Sequence, residues 1–159
     1  MAYEPHENPA RCRHSAWADR FRGGVRYWIF TIPTAKLIGD QGCLVAMDVS
    51  SGFIERVSKK VQAADLKNVR VVKRDALDTG LDTASIDKVL LFGVIPFPLL
   101  PLNRLLPEMH RVLKPEGTLA AWLFPISGWV PKSIVRSGLF TYISKRNGVY
   151  NYRRCKAIR

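Results

Sequence analysis

Cysteine is scarce in this 159-residue chain: Cys12, Cys43 and Cys155 are an odd set with no C-x-x-C pair. That spacing argues against a disulfide framework and a zinc ribbon, and predicts a reducing compartment. Long apolar runs are missing as well. The uncharged stretches Val89 to Leu102 and Gly117 to Pro131 fall short of the ~20 residues a membrane helix needs, and prolines interrupt both. Met1 leads into polar, proline-containing sequence without the basic-then-apolar order of a secretion signal, which predicts a cytoplasmic protein. Acidic residues are absent after Glu116. No internal repeat, linker or low-complexity segment is present.

What remains is an ordinary globular composition, 47% hydrophobic and 24% charged, with a length suited to one domain. The charge is not ordinary. Twenty-five Lys and Arg against 13 Asp and Glu give +12, and eight of the basic residues follow Glu116 with no acid among them. Such a field attracts polyanions without choosing among them, although a solvated basic surface is the commoner meaning. Tyr142, Tyr150 and Tyr152 interleave with these cations, a mixture suited to nucleic acid, but no RNP, KH or helix-turn-helix signature accompanies it.

Residues 1–28 show no steady period of 2 or 3.6, and from Ile29 the patterning becomes locally consistent. The expected division is therefore an atypical N-terminal segment, 1–28, and a domain over 29–159. Thr31 to Ile38 predicts a short helix with Pro33 in its first turn and Gly39 as a left-handed cap. Cys43 to Val49 reads as a strand buried on both faces and ending in an acid. Ser50 or Ser51 caps a helix whose apolar face is Phe53, Ile54, Val57 and Val61, with Glu55 and Lys59 paired on the outside. Val69 to Lys73 and Asp87 to Phe92 are further strands. Leu102 to Leu113 is a helix with Leu105, Leu106, Met109 and Val112 or Leu113 inward. Lys114-Pro-Glu-Gly117 turns it into a strand over Thr118 to Phe124. Ser133 to Ser137 reads as a short helix, and Asn147-Gly148 joins two alternating runs into a hairpin. Strands alternating with helices imply an α/β, doubly wound, mostly parallel Rossmann-like sheet, closed by an antiparallel C-terminal hairpin strand. Its first strand is the least defined.

Ligands of open α/β sheets bind beyond the carboxyl ends of the strands. Here those ends carry Asp48, Asp75 and the Phe92-Gly93 pair. An acid closing the second strand can accept both hydroxyls of a ribose; one after the next strand can accept an exocyclic amine. A single such Asp more often caps the following helix. Two at successive strand ends, with apolar neighbours, favour an adenosine-type ligand.

The stretches Cys43-Leu-Val-Ala-Met-Asp48-Val-Ser, Arg74-Asp75-Ala76, Asp87-Lys-Val-Leu-Leu-Phe92 and Glu108-Met-His-Arg-Val-Leu-Lys-Pro-Glu-Gly117-Thr-Leu, followed by the hairpin, give the chain from Ile29 onward its family likeness. It resembles the class I S-adenosylmethionine-dependent methyltransferases, of the small-molecule type related to ubiquinone and menaquinone biosynthesis. The resemblance implies a seven-stranded sheet with a reversed last strand and S-adenosyl-L-methionine as cofactor. It further implies Asp48 and the adjoining Val49 at the ribose, Asp75 near the adenine amine with Ala76 beside it, and Phe92 and Gly93 beside the methionyl part.

The front departs from the family. Such enzymes carry acid-x-G-x-G-x-G after the first strand, because glycine lets backbone N–H groups approach the cofactor. Aligned back from the helix at Thr31, this turn falls near Arg22-Gly-Gly-Val-Arg-Tyr-Trp28, where Gly24 stands for the first glycine, Arg22 for the acid, and Arg26 and Trp28 for later glycines. Impaired cofactor binding is the expected consequence. With suitable codons, residues 19–28 read one base later give Ile-Gly-Ser-Gly-Ala-Gly-Tyr-Gly-Ile, so the N-terminal segment is expected to be a frame-shifted remnant. The nucleotide sequence decides that point.

No catalytic residue is assignable. Methyl transfer needs a base only where the acceptor must first lose a proton, and N-P-P-[FYW] is absent after Phe92. His110 fits a mid-helix structural role. His6, Cys12 and His14 lie in patternless sequence, and no metal site is expected. The apolar loop Val94 to Pro101 suits a small apolar or aromatic methyl acceptor, or simply packs on neighbouring helices. Two rivals stand beside the enzyme: a non-catalytic methyltransferase-like module binding nucleic acid or a protein partner through its basic C-terminal third, and, more remotely, a nicotinamide-dependent dehydrogenase.

Overall fold

The computed structural model describes residues 16–18, 28–92, 101–123 and 128–156. In chain order the elements are β1 (Ala16–Ala18), α1 (Trp28–Ile38), β2 (Leu44–Asp48), α2 (Ser51–Ala63), β3 (Val69–Lys73), β4 (Ile86–Phe92), α3 (Leu102–Val112), β5 (Leu113–Trp122), α4 (Val130–Arg136), β6 (Phe140–Arg146) and β7 (Val149–Arg154). The strands form one seven-stranded sheet in the order β3-β2-β1-β4-β5-β7-β6. β1 to β5 pair in parallel, and β7 runs antiparallel to both β5 and β6. The hairpin thus slides its second strand between β5 and the edge strand β6. Strand order reverses between β1 and β4, the switch point where a crevice opens in such sheets.

Burial divides the core by sheet face. One cluster joins Val45, Met47, Val89, Leu91, Leu119 and Ala121 to Leu105, Leu106 and Met109 of α3 and to Val130 and Ile134 of α4. The other joins Leu44, Ala46, Leu90 and Ala120 to Ala35 of α1 and to Val57 and Val61 of α2. Because successive strand residues face opposite sides, β2 alternates between the two clusters and is buried along its whole length. Its apolar run from Leu44 to Met47 is the direct record of that.

The predicted elements are present with informative shifts. Ser50 caps α2, its Oγ accepting from the Phe53 N–H at 3.4 Å, and Glu55 meets Lys59 at 2.7 Å. Gly39 takes φ +71 at the end of α1, as a left-handed cap requires. Helix α1, however, begins at Trp28, so Pro33 lies inside it rather than in its first turn. The helix over Ser133 to Ser137 is extended forward to Val130, with Pro131 in its first turn. The Lys114–Gly117 turn proves to be a bulge within β5. Pairing jumps from Ile86–Leu113 to Lys88–Thr118. Glu116 sits at φ +64, and a Cβ on Gly117 would lie 2.8 Å from the Lys114 carbonyl oxygen. Asn147 (φ 48) and Gly148 (φ 79) form the hairpin turn, both left-handed as a two-residue type I′ loop requires.

Two features lie outside what the sequence pattern displays. The first strand lies at Ala16–Ala18, within the patternless segment, and ends four residues before the place assigned to Arg22. Three residues are too few to show a period. Cys43, buried at the start of β2, is disulfide-bonded, whereas Cys155 is free. Spacing along the chain does not display a pairing of this kind.

Candidate functional site

The parallel strands bring their carboxyl ends to one rim. Asp48 ends β2 opposite Lys73, the last residue of β3, and Asp75 follows two residues later. The Arg74 N–H donates to the Asp48 carbonyl oxygen at 3.1 Å, tying the two chain exits together. Asp48 is 4% exposed, and its Oδ1 accepts from the Ser50 N–H at 2.5 Å. Asp75 is half-buried, and its Oδ1 accepts from the Leu77 N–H at 3.0 Å. Each carboxylate thus accepts a backbone N–H two residues on, but neither caps a helix: Ser50 caps α2, and no helix lies between β3 and β4.

Around the acids, Val49 is half-buried, Ala76 is buried, and Phe92 at the end of β4 meets Phe30 of α1 edge-on with ring centroids 5.4 Å apart. Gly24 and Gly93 lie outside the described residues, as do Arg22, Arg26 and residues 94–100 of the acceptor loop. The residue after β1 in the sequence is Asp19, followed by Arg20-Phe-Arg-Gly23-Gly24. Asp19 is thus the first acid after β1 in the sequence.

Sequence reasoning missed a polar network between the β3–β4 connection and α3. Thr79, 5% exposed in the β3–β4 connection, donates both its N–H (3.0 Å) and its hydroxyl (2.6 Å) to Glu108 Oε1 of α3. Arg111 holds both Glu108 oxygens at 2.8 Å. Chiefly through this guanidinium, and with the two Thr79 donors helping against partial burial, the Glu108 carboxyl is lowered to about 2. The i,i+3 spacing of Glu108 and Arg111 was visible; the Thr79 partner, 29 residues away, was not.

His110 has the structural role expected of it: its Nε2 lies 2.9 Å from the Cys155 carbonyl oxygen, and its ring packs edge-on to Phe140. A shallow cleft of about 190 Å³, lined by Pro115, Glu116, Arg154, Cys155 and Lys156, opens beside the amino end of β5, on the rim opposite Asp48. Among the described residues no cluster of His, Cys, Asp and Glu could hold a metal, and no helix is long and apolar enough to cross a membrane.

Sheet order, reversed penultimate strand and acid-bearing rim define the methyltransferase type of α/β fold. Comparison with solved structures agrees. A SAM-dependent methyltransferase from Aquifex aeolicus superposes with a TM-score of 0.71 at 21% identity, covering 91% of this chain and 82% of that one. Geranyl diphosphate C-methyltransferase from Streptomyces coelicolor A3(2), solved with S-adenosyl-L-homocysteine, gives 0.67 at 11% identity, covering 90% and 74%. The Methyltransferase domain family model matches residues 29–117, and the chain belongs to that family. Demethylmenaquinone methyltransferase from Listeria welshimeri is 35% identical over 98 residues, which is 61% of this chain but 40% of that protein. The chain thus spans well under half the length of the curated relatives it matches. S-adenosylmethionine is the cofactor of the family.

Proposed function

We propose that this chain binds S-adenosylmethionine along the carboxyl rim of β1–β4 and methylates a small, apolar or aromatic acceptor, of the quinone-precursor class its relatives are named for. The observation that carries the reading is the delivery of Asp48 and Asp75 to one rim by adjacent parallel strands, beside the switch point. The donor set suits an adenosine: Asp48 accepts the ribose hydroxyls beside Val49, Asp75 with Ala76 accepts the adenine amine, and Phe92 supplies an apolar wall. Gly93 and the glycines of 23–24 complete the cofactor side in this reading, with Asp19 as the acid next to β1.

When bound, the cofactor supplies a methyl group on a sulfonium, transferred by in-line displacement. The chain's own task is positional. Its carboxylates fix the nucleoside, its apolar walls exclude water, and alignment of acceptor and methyl carbon supplies up to ~7–11 kcal/mol. With at most two glycines where the family pattern has three, affinity is expected to be reduced, since side chains keep backbone N–H groups from the ligand. Calorimetric titration of the full chain with S-adenosylhomocysteine tests this: saturable one-site heat is expected, and its absence overturns the enzymatic reading in favour of a non-catalytic module.

A further inference from the structure

Four of the five large apolar side chains most exposed among the described residues lie on α4 and β6: Trp129 (56%), Val135 (43%), Tyr142 (48%) and Ile143 (43%). Helix α4 buries Val130 and Ile134, four residues apart, against the sheet. At 100° per residue its opposite side therefore carries Lys132, Val135 and Arg136, with Trp129 at its head. Strand β6 packs beside α4 through Phe140, in the same core cluster as Val130 and Ile134. Pairing places Tyr142 opposite Tyr152 and Lys145 opposite Tyr150, on the face that α4 covers, and Ile143 is the extra residue where the register shifts. Lys145 stands over the Tyr150 ring, 4.7 Å from its centroid. No acidic residue follows Glu116, which itself pairs with Arg153 at 3.6 Å. Lys132, Arg136, Lys145 and Arg146 have no acidic partner among the described residues.

We propose that this α4–β6 face docks the protein on an anionic phospholipid surface. Its chemistry separates a bilayer from other polyanions. Phosphate chains would use the cations and stack on Tyr142, but would leave Val135 and Ile143 in water. An acyl boundary covers these aliphatics, takes an amphipathic Trp and Tyr at headgroup level, and satisfies Lys132, Arg136 and Lys145 with lipid phosphates. The face also borders the carboxyl rim: the hairpin tip at Gly148 lies against Trp122, the last residue of β5. A docked molecule would present that rim near the membrane, where an apolar acceptor concentrates. The docking inference stands on the surface alone and does not require methyl transfer.

The test is co-sedimentation of the full chain with phosphatidylglycerol-containing vesicles against pure phosphatidylcholine at physiological ionic strength. Binding to the anionic vesicles, with the part of the tryptophan emission lost in Trp129→Phe quenched by brominated acyl chains, supports the proposal. The combined variant Lys132→Glu, Arg136→Glu, Lys145→Glu is expected to bind roughly 100-fold more weakly, and Val135→Ser with Ile143→Ser to lose the quenching. The proposal is overturned by absence of sedimentation, by an equal loss when Lys36, Lys59 and Arg70 are reversed instead, or by tighter binding to oligouridylate than to vesicles. Far-UV circular dichroism and S-adenosylhomocysteine titration of the same variants separate misfolding, and failure of the cofactor reading, from failure of docking.

Discussion

Asp48 and Asp75 leave the same edge of the sheet, joined at their bases by the 3.1 Å hydrogen bond from the Arg74 N–H to the Asp48 carbonyl oxygen. That bond fixes the backbone where β2 and β3 end, from which both side chains start. Asp48→Ala is therefore expected to weaken S-adenosylhomocysteine binding about 10- to 100-fold, the loss of hydrogen bonds to a charged acceptor. It also leaves the Ser50 N–H without its 2.5 Å acceptor, at about 1 kcal/mol of stability. Calorimetry and urea unfolding on the same protein check the two effects separately. Unchanged cofactor affinity removes Asp48 from the proposed site.

Glu108 predicts the acid limb of stability. Its carboxyl is lowered from an ordinary 4.5 to about 2 by Arg111 and Thr79, and its side chain is 12% exposed. A depressed acid contributes stability that is complete above the unfolded pKa and lost as pH falls from about 4.5 towards 2. Arg111 is 38% exposed, so water screens part of the attraction. Glu108→Gln is expected to cost about 1–3 kcal/mol at neutral pH and to flatten the stability profile between pH 4.5 and 2. Urea midpoints across that range measure both, and a profile parallel to the parent's refutes the assignment.

How much of this was readable beforehand follows from the range of each interaction. Strand β2 is legible because its apolar run records burial on both faces, and the Asn147-Gly148 turn because few residue pairs tolerate two left-handed conformations. The same local logic puts Asp48 and Asp75 at strand ends. Strand β1 escaped it: its three residues draw their order from β2 and β4, not from their own pattern. The β5 bulge escaped because Lys114-Pro-Glu-Gly117 signals a turn equally well between elements and inside one. Beside it Lys114 pairs with Asp87 across the sheet at 2.8 Å, a contact between residues 27 apart. Long-range partners such as these leave no period.

Tyr152 supplies a prediction of the opposite sign. Its ring is fully buried, edge-on to Tyr142 at 6.0 Å, and its hydroxyl has no hydrogen-bond partner. A buried polar group without a partner is a net cost, so Tyr152→Phe is expected to be neutral or to stabilise by up to about 1 kcal/mol. Burial also pushes the phenol pKa well up from 10.0. A raised pKa contributes stability present below the unfolded value and lost as pH rises beyond it, so the parent should weaken above about pH 10 and the variant less. Thermal melts at neutral and alkaline pH check this, and destabilisation at neutral pH would reveal a partner for the hydroxyl.

Asn68 fastens α1 to the sheet. Its backbone carbonyl accepts from the Leu44 N–H at 2.8 Å, where β2 begins. Its side-chain Nδ2 donates to the Ala35 and Gly39 carbonyl oxygens at 2.7 and 2.9 Å. These carbonyls, in the last turn of α1 and its cap, also accept from the Gly39 and Gly42 N–H groups, so Asn68 adds a second donor to each. Asn68 is 8% exposed, so water replaces the amide poorly. Asn68→Ala is expected to cost about 1–3 kcal/mol. Asn68→Asp should cost more, because an ionised carboxylate would meet two carbonyl oxygens with no proton to offer. Hydrogen exchange should show the loss first at the Gly39 N–H, which donates to Ala35. An Asp variant as stable as the parent would mean that the end of α1 is held by something else.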